Sequence, residues 1–163
     1  MTNVIINYVF FIIFHRMRIF YLMISDIQWK ALFVLFSIVI ATIDIKTGKV
    51  PRAAFIIAFP AFFILRVLLD ERRPSWMLIA GCLTGLIIFL IVFFISGKRL
   101  GLADVWYSAL IGLVLGLWWW YAAMGSACIA GIVYLLISRQ RRIPFIPFMA
   151  LGSIITCIIH EAF

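Results

Sequence analysis

The sequence predicts an all-α fold, a polytopic membrane helix bundle with six core transmembrane helices and an additional N-terminal hydrophobic segment. Three observations predict it. The 163 residues are 67% hydrophobic and 12% charged, with mean hydropathy +1.22, whereas a soluble domain is about half apolar and a quarter charged. Six apolar stretches approach the roughly 20 residues that a helix needs to cross a bilayer. Basic residues gather in alternate connections, as the positive-inside rule requires. No length remains for a soluble domain. The net charge of +8 is accounted for by basic loops beside a membrane, so lipid is expected as a partner and nucleic acid is not. Cys82, Cys128 and Cys157 lie in apolar segments without metal-ligand or redox spacing, so disulfides and zinc are not expected.

The expected crossings are 29–45, 53–70, 76–97, 103–120, 121–138 and 144–160. None shows the period-2 alternation of a barrel strand, which leaves helices. Residues 1–25 form a separate N-terminal segment ahead of a membrane domain over 26–163. In it, Val4 to Phe14 is apolar but short, and His15, Arg16 and Arg18 interrupt before Ile19. It reads as a seventh crossing or an interfacial helix. No small-residue cleavage site follows, which disfavours a removed signal peptide.

Orientation follows from charge. Connections 46–52, 97–101 and 139–143 share one face and carry eight of the fourteen basic residues. The opposite connection, 70–75, carries Asp70, Glu71, Arg72 and Arg73, which cancel. The first face is therefore expected to be cytoplasmic. Trp29, Trp76 and Trp118 to Trp120 fall at the other face, where an aromatic belt would sit. Trp106 alone is out of step.

Only six residues are acidic, and this topology puts two of them, Asp44 and Asp104, at helix ends on the cytoplasmic side. An ionisable group at membrane depth is costly and marks a functional site by default. Asp44 opens Asp44-Ile45-Lys46-Thr47-Gly48-Lys49-Val50-Pro51, a turn whose proline suits the first turn of the next helix. On its own, this segment is equally a helix-loop-helix with Asp44 paired to Lys46 or Lys49. Asp104 closes Gly101-Leu102-Ala103-Asp104, where small residues permit close backbone approach and the helix dipole favours a negative charge. On its own, it is equally a helix-start aspartate without chemistry. Ser108, Gly112 and Gly116, with Gly81 and Gly85, form small-residue faces for close helix packing, expected to bring the Asp104 helix against the Asp44 helix. The last helix opens on Pro144 and Pro147, a rigid entry short of two backbone donors. His15, His160 and Glu161 receive no role.

Together these motifs resemble the type IV prepilin peptidases, polytopic aspartyl proteases of the GxGD class. That family reads Asp, a basic loop and Ile-Pro-Asn; then Gly-x-Gly-Asp-Val-Lys; then Pro-Phe-Gly-Pro-Phe-Leu-Ala-Leu-Gly. The counterparts here are Asp44 through Val50-Pro51-Arg52, Gly101-Leu102-Ala103-Asp104-Val105-Trp106, and Pro144-Phe145-Ile146-Pro147-Phe148-Met149-Ala150-Leu151-Gly152. Ala103, Trp106, Arg52 and Ile146 depart from the pattern and mark a divergent member. The resemblance implies a multi-pass protein of the bacterial inner membrane, with its active site facing the cytoplasm. It implies an aspartic endopeptidase that cleaves the leader of prepilin-like proteins, with Asp44 and Asp104 catalytic. Lys46, Pro51, Gly101, Ala103, Pro144 and Pro147 would support the site or touch substrate. No cofactor or metal is needed. The Cys-x-x-Cys extension that accompanies methyltransferase activity in many members has no counterpart, so no methylation is expected. Two other readings fit the same carboxylates: a catalytically inactive assembly subunit, and a small proton-coupled transporter. Composition is silent on oligomeric state.

Overall fold

The computed structural model describes residues 28–69, 75–97, 100–138 and 144–162. They form an all-α bundle of six helices: α1 (Gln28–Thr47), α2 (Arg52–Leu69), α3 (Ser75–Ile95), α4 (Leu102–Leu115), α5 (Leu117–Ser138) and α6 (Ile146–Ala162). Helix number and order match the sequence expectation; length does so only in part. Among the described residues, three helices are long and apolar enough to cross a membrane: α1, α3 over Trp76–Ile95, and α5. α4 and α6 are shorter apolar helices. The N-terminal segment 1–25, Asp70 to Arg73, Lys98, Arg99 and the basic connection 139–143 lie outside the described residues.

α4 is the hub of the bundle. It touches α2, α3, α5 and α6, and eleven of its fourteen residues are buried. A helix of this length spans about 21 Å, against about 30 Å for the hydrocarbon core. Its neighbours wrap it, so it meets little of the surroundings and needs no full crossing length. The boundary with α5 differs from the expected 120/121 junction. The chain breaks at Gly116, whose φ of 81° is open to glycine and strained for other residues. The turn lets the Trp120 indole reach back and donate to the Ser108 hydroxyl at 3.1 Å. Ser108 in turn donates to the Gly85 carbonyl at 3.2 Å.

The small-residue stripes do not join the two aspartate helices, as the sequence suggested. They pack α4 on α3. A Cβ built on Gly112 would overlap the Gly81 carbonyl oxygen, and one on Gly81 would overlap the Gly112 carbonyl oxygen. The reason is complementary spacing: each helix offers its own glycine face, and two such faces close on each other. That leaves a different side of α4 for α1.

α1 buries the stripe Trp29, Phe33, Ser37, Ile40 and Asp44, which recurs with the helical period. Phe33 and Phe36 both meet Phe62 of α2 edge-on, at centroid distances of 5.6 and 5.7 Å. The two helices are antiparallel, because Arg66 near the end of α2 stacks over Trp29 near the start of α1, 4.2 Å from the ring centroid. Trp29 is thus a core residue, 2% exposed, rather than a member of an outward aromatic belt. Trp76 and Trp118 do face outward.

Candidate active site

The last turn of α1 and the first turn of α4 each carry one aspartate. Asp44 and Asp104 are both buried, at 8% and 7% exposure, and lie within electrostatic reach of each other. Asp44 is placed by the α1 stripe just described. Beyond it the helix stops: the Gly48 N–H bonds the Asp44 carbonyl at 2.8 Å, and the Thr47 hydroxyl reaches the carbonyls of Ile43 and Lys49, each at 2.8 Å. Lys46 and Lys49 are exposed, and among the described residues no ion pair joins either to Asp44. The simple paired-surface-aspartate alternative therefore does not describe this residue.

Asp104 is held from the other side. Its Oδ2 accepts a hydrogen bond from the Gly101 N–H at 2.9 Å, the carboxylate half of a capping box. A Cβ on Gly101 would lie 3.0 Å from that oxygen, so the glycine permits the approach. One carboxyl oxygen is thereby fixed, and the other accepts no hydrogen bond among the described residues. Ala103 is half-buried beside it. Burial of each carboxyl disfavours its charged form, and two such groups within electrostatic reach disfavour simultaneous ionisation.

The supporting positions divide. Gly101 touches the carboxyl directly, whereas Lys46, Pro51 and Pro144 are exposed and Pro147 is half-buried. Pro147 lies at the second position of α6, and Phe145 just before it stacks on Phe89 of α3 at 6.2 Å. The described contacts tie this entry to α3 and bring neither proline to the carboxyls. Trp106 is 40% exposed and packs edge-on against Phe59 of α2 at 6.0 Å. Two residues along a helix turn about 200°, so Trp106 projects from the side of α4 opposite Asp104. Its replacement of the family's lysine leaves the surroundings of the carboxyls as they are. We expect Trp106→Lys to lower protein level and to leave any pH–rate profile unmoved. A double-mutant cycle with Phe59→Ala should return about 0.5–1.5 kcal/mol of coupling, the range for aromatic pairs.

Sequence reasoning missed Tyr107, fully buried one turn from Asp104, and the buried serines Ser37 and Ser153. The period of α1 carried the only available signal, because it places Ser37 on the stripe of Asp44.

A bundle of apolar helices, three of them long enough to cross a membrane, defines a membrane-associated helical protein. The chain belongs to the type IV leader peptidase family, whose model matches residues 31–136. That span contains both aspartates and ends before Pro144. No curated relative matches the chain, and no solved structure does.

Proposed function

We propose that this protein is an aspartic endopeptidase that removes the leader of type IV prepilin-like proteins at the cytoplasmic face of the bacterial inner membrane. What supports this reading is the burial of Asp44 and Asp104 within electrostatic reach of each other, in a chain of the leader peptidase family. One carboxyl, ionised, takes a proton from water. The other, protonated, donates to the scissile carbonyl. The attacking water is oriented by a carboxyl whose own orientation is fixed by the Gly101 N–H. As the tetrahedral intermediate collapses, the protonated carboxyl gives its proton to the leaving amine and the ionised one takes the hydroxyl proton of the re-forming carbonyl, so the pair again holds one proton. No metal or organic cofactor takes part.

The helices are read as six crossings, with the ends of α1 and the start of α4 toward the cytoplasm. In this reading α4 begins below the membrane surface, because its 14 residues fall short of the hydrocarbon thickness. The dyad is then recessed, where it meets a scissile bond next to the apolar helix of a substrate. Lys46, Lys49 and Arg52 stand at the rim, and the family's substrates would pass them.

Co-expression with a prepilin-like substrate tests the function. Processing of its basic leader should depend on this protein. A topology test is independent of activity. With Cys82, Cys128 and Cys157 replaced, single cysteines at 49, 98 and 141 should resist a membrane-impermeant reagent, and one at 72 should react. The reverse pattern would put the carboxyls on the wrong side for a leader that stays in the cytoplasm.

A further inference from the structure

The Tyr107 hydroxyl is buried in the middle of the bundle, and its ring packs against Phe55 of α2 at 6.4 Å. It faces the hydroxyls of Ser37 on α1 and Ser153 on α6 and makes no hydrogen bond of good geometry to either. Cys157 of α6 lies in the same neighbourhood. All three hydroxyl-bearing residues have zero exposure.

The proton count limits the choice. Ser37 donates its one hydroxyl proton to the Phe33 carbonyl at 2.8 Å. Ser153 donates its own to the Ala150 carbonyl at 2.9 Å. Both serines are committed to their own helices and have only lone pairs left to offer. Tyr107 therefore supplies the single donor for two acceptors on two helices. A buried hydroxyl left unbonded is costly, so it takes one of them.

We infer that Tyr107 is a positioning residue: its hydroxyl bonds Ser37, ties α4 to α1, and so sets Asp104 against Asp44. Ser37 lies about two turns before Asp44 on the same buried stripe, and Tyr107 about one turn after Asp104. The bond is thus a second tie along the seam that ends in the carboxyls. Ser153 is the competing acceptor, and a bond to it would pull α4 toward α6 instead. This inference rests on the protease reading above.

The test is a double-mutant cycle on leader cleavage by the full-length protein. Tyr107→Phe keeps the ring and removes the donor. Ser37→Ala removes the acceptor. Each should lower kcat about five- to tenfold with KM unchanged, the scale of one lost neutral hydrogen bond. The double variant should be no slower than either single one. Ser153→Ala removes the competitor and should hold or raise kcat. The thermal midpoint is measured in parallel, and the two single variants should again fail to add. Multiplicative losses in kcat, a Ser153→Ala loss equal to that of Ser37→Ala, or an unaffected Tyr107→Phe would each overturn the inference. Those outcomes occur with an active wild type. Absence of cleavage by the wild type is instead the failure of the protease reading, and it removes the positioning role with it.

Discussion

Asp44→Asn and Asp104→Asn should each abolish leader cleavage while the amount of folded protein stays constant. The expected loss is at least about 100-fold for either substitution, since general acid–base catalysis by one group contributes roughly 10²–10⁴. In the proposed mechanism each carboxyl has a role that an amide cannot fill, because an amide neither takes the water proton nor gives one to the carbonyl. The fold should tolerate both changes. Asparagine is nearly isosteric and carries no charge, and burying an amide costs less than burying a carboxylate. At position 104 the amide oxygen still accepts from the Gly101 N–H, so the 2.9 Å contact that starts α4 is retained. Quantitative immunoblotting beside the cleavage assay reads both quantities. Near-normal turnover in either variant would exclude a dyad mechanism, whatever the protein level.

The largest effect on stability is expected at the α3–α4 crossing. Gly112→Ala should destabilise the bundle by more than about 3 kcal/mol, the upper end of the usual cost of overpacking. The added methyl would overlap a backbone oxygen of Gly81 rather than the end of a flexible side chain, so relief requires the helices to separate. α4 carries Asp104, and its buried faces contact four other helices. Separation therefore disturbs the site as well as the core, and activity should fall with the melting temperature. Gly125→Ala is the control. It lies inside α5 with nothing within 4 Å of its added Cβ, and it should be neutral or gain about 0.5–1 kcal/mol through backbone entropy. Thermal denaturation in detergent distinguishes the two. Equal melting temperatures for Gly112→Ala and wild type would contradict the packing described.

The all-α class and the helix order were legible because apolar runs and charged connections are one-dimensional signals. Asp44 and Asp104 stood out for the same reason: a carboxylate in an apolar run is conspicuous. What one dimension cannot carry is which faces meet. The glycines at 81, 85, 112 and 116 announced a close crossing, yet nothing in their spacing said that α4 would close on α3 rather than on α1. The length of α4 was also misread. Leu113 to Trp120 is unbroken in hydropathy, and only the positive φ of Gly116 divides it. Trp29 read as an outward anchor because tryptophan favours interfaces, but Arg66 covers it. Tyr107 passed unnoticed because a tyrosine within an apolar helix has no motif. Its meaning depends on Ser37 and Ser153, which lie far from it in sequence and beside it in space.

Peptide-bond cleavage by the Asp44–Asp104 pair is read out with purified protein in liposomes and a synthetic substrate, a basic leader joined to an apolar helix, the products being identified by mass spectrometry. One cut is expected, on the N-terminal side of the apolar helix. It should persist in the presence of a metal chelator and be absent with Asp44→Asn or Asp104→Asn. An intact substrate beside correctly folded wild-type protein would contradict it. If the same liposomes then showed proton-coupled flux dependent on both aspartates, the carboxyls would belong to a transporter; without flux, to an inactive assembly subunit.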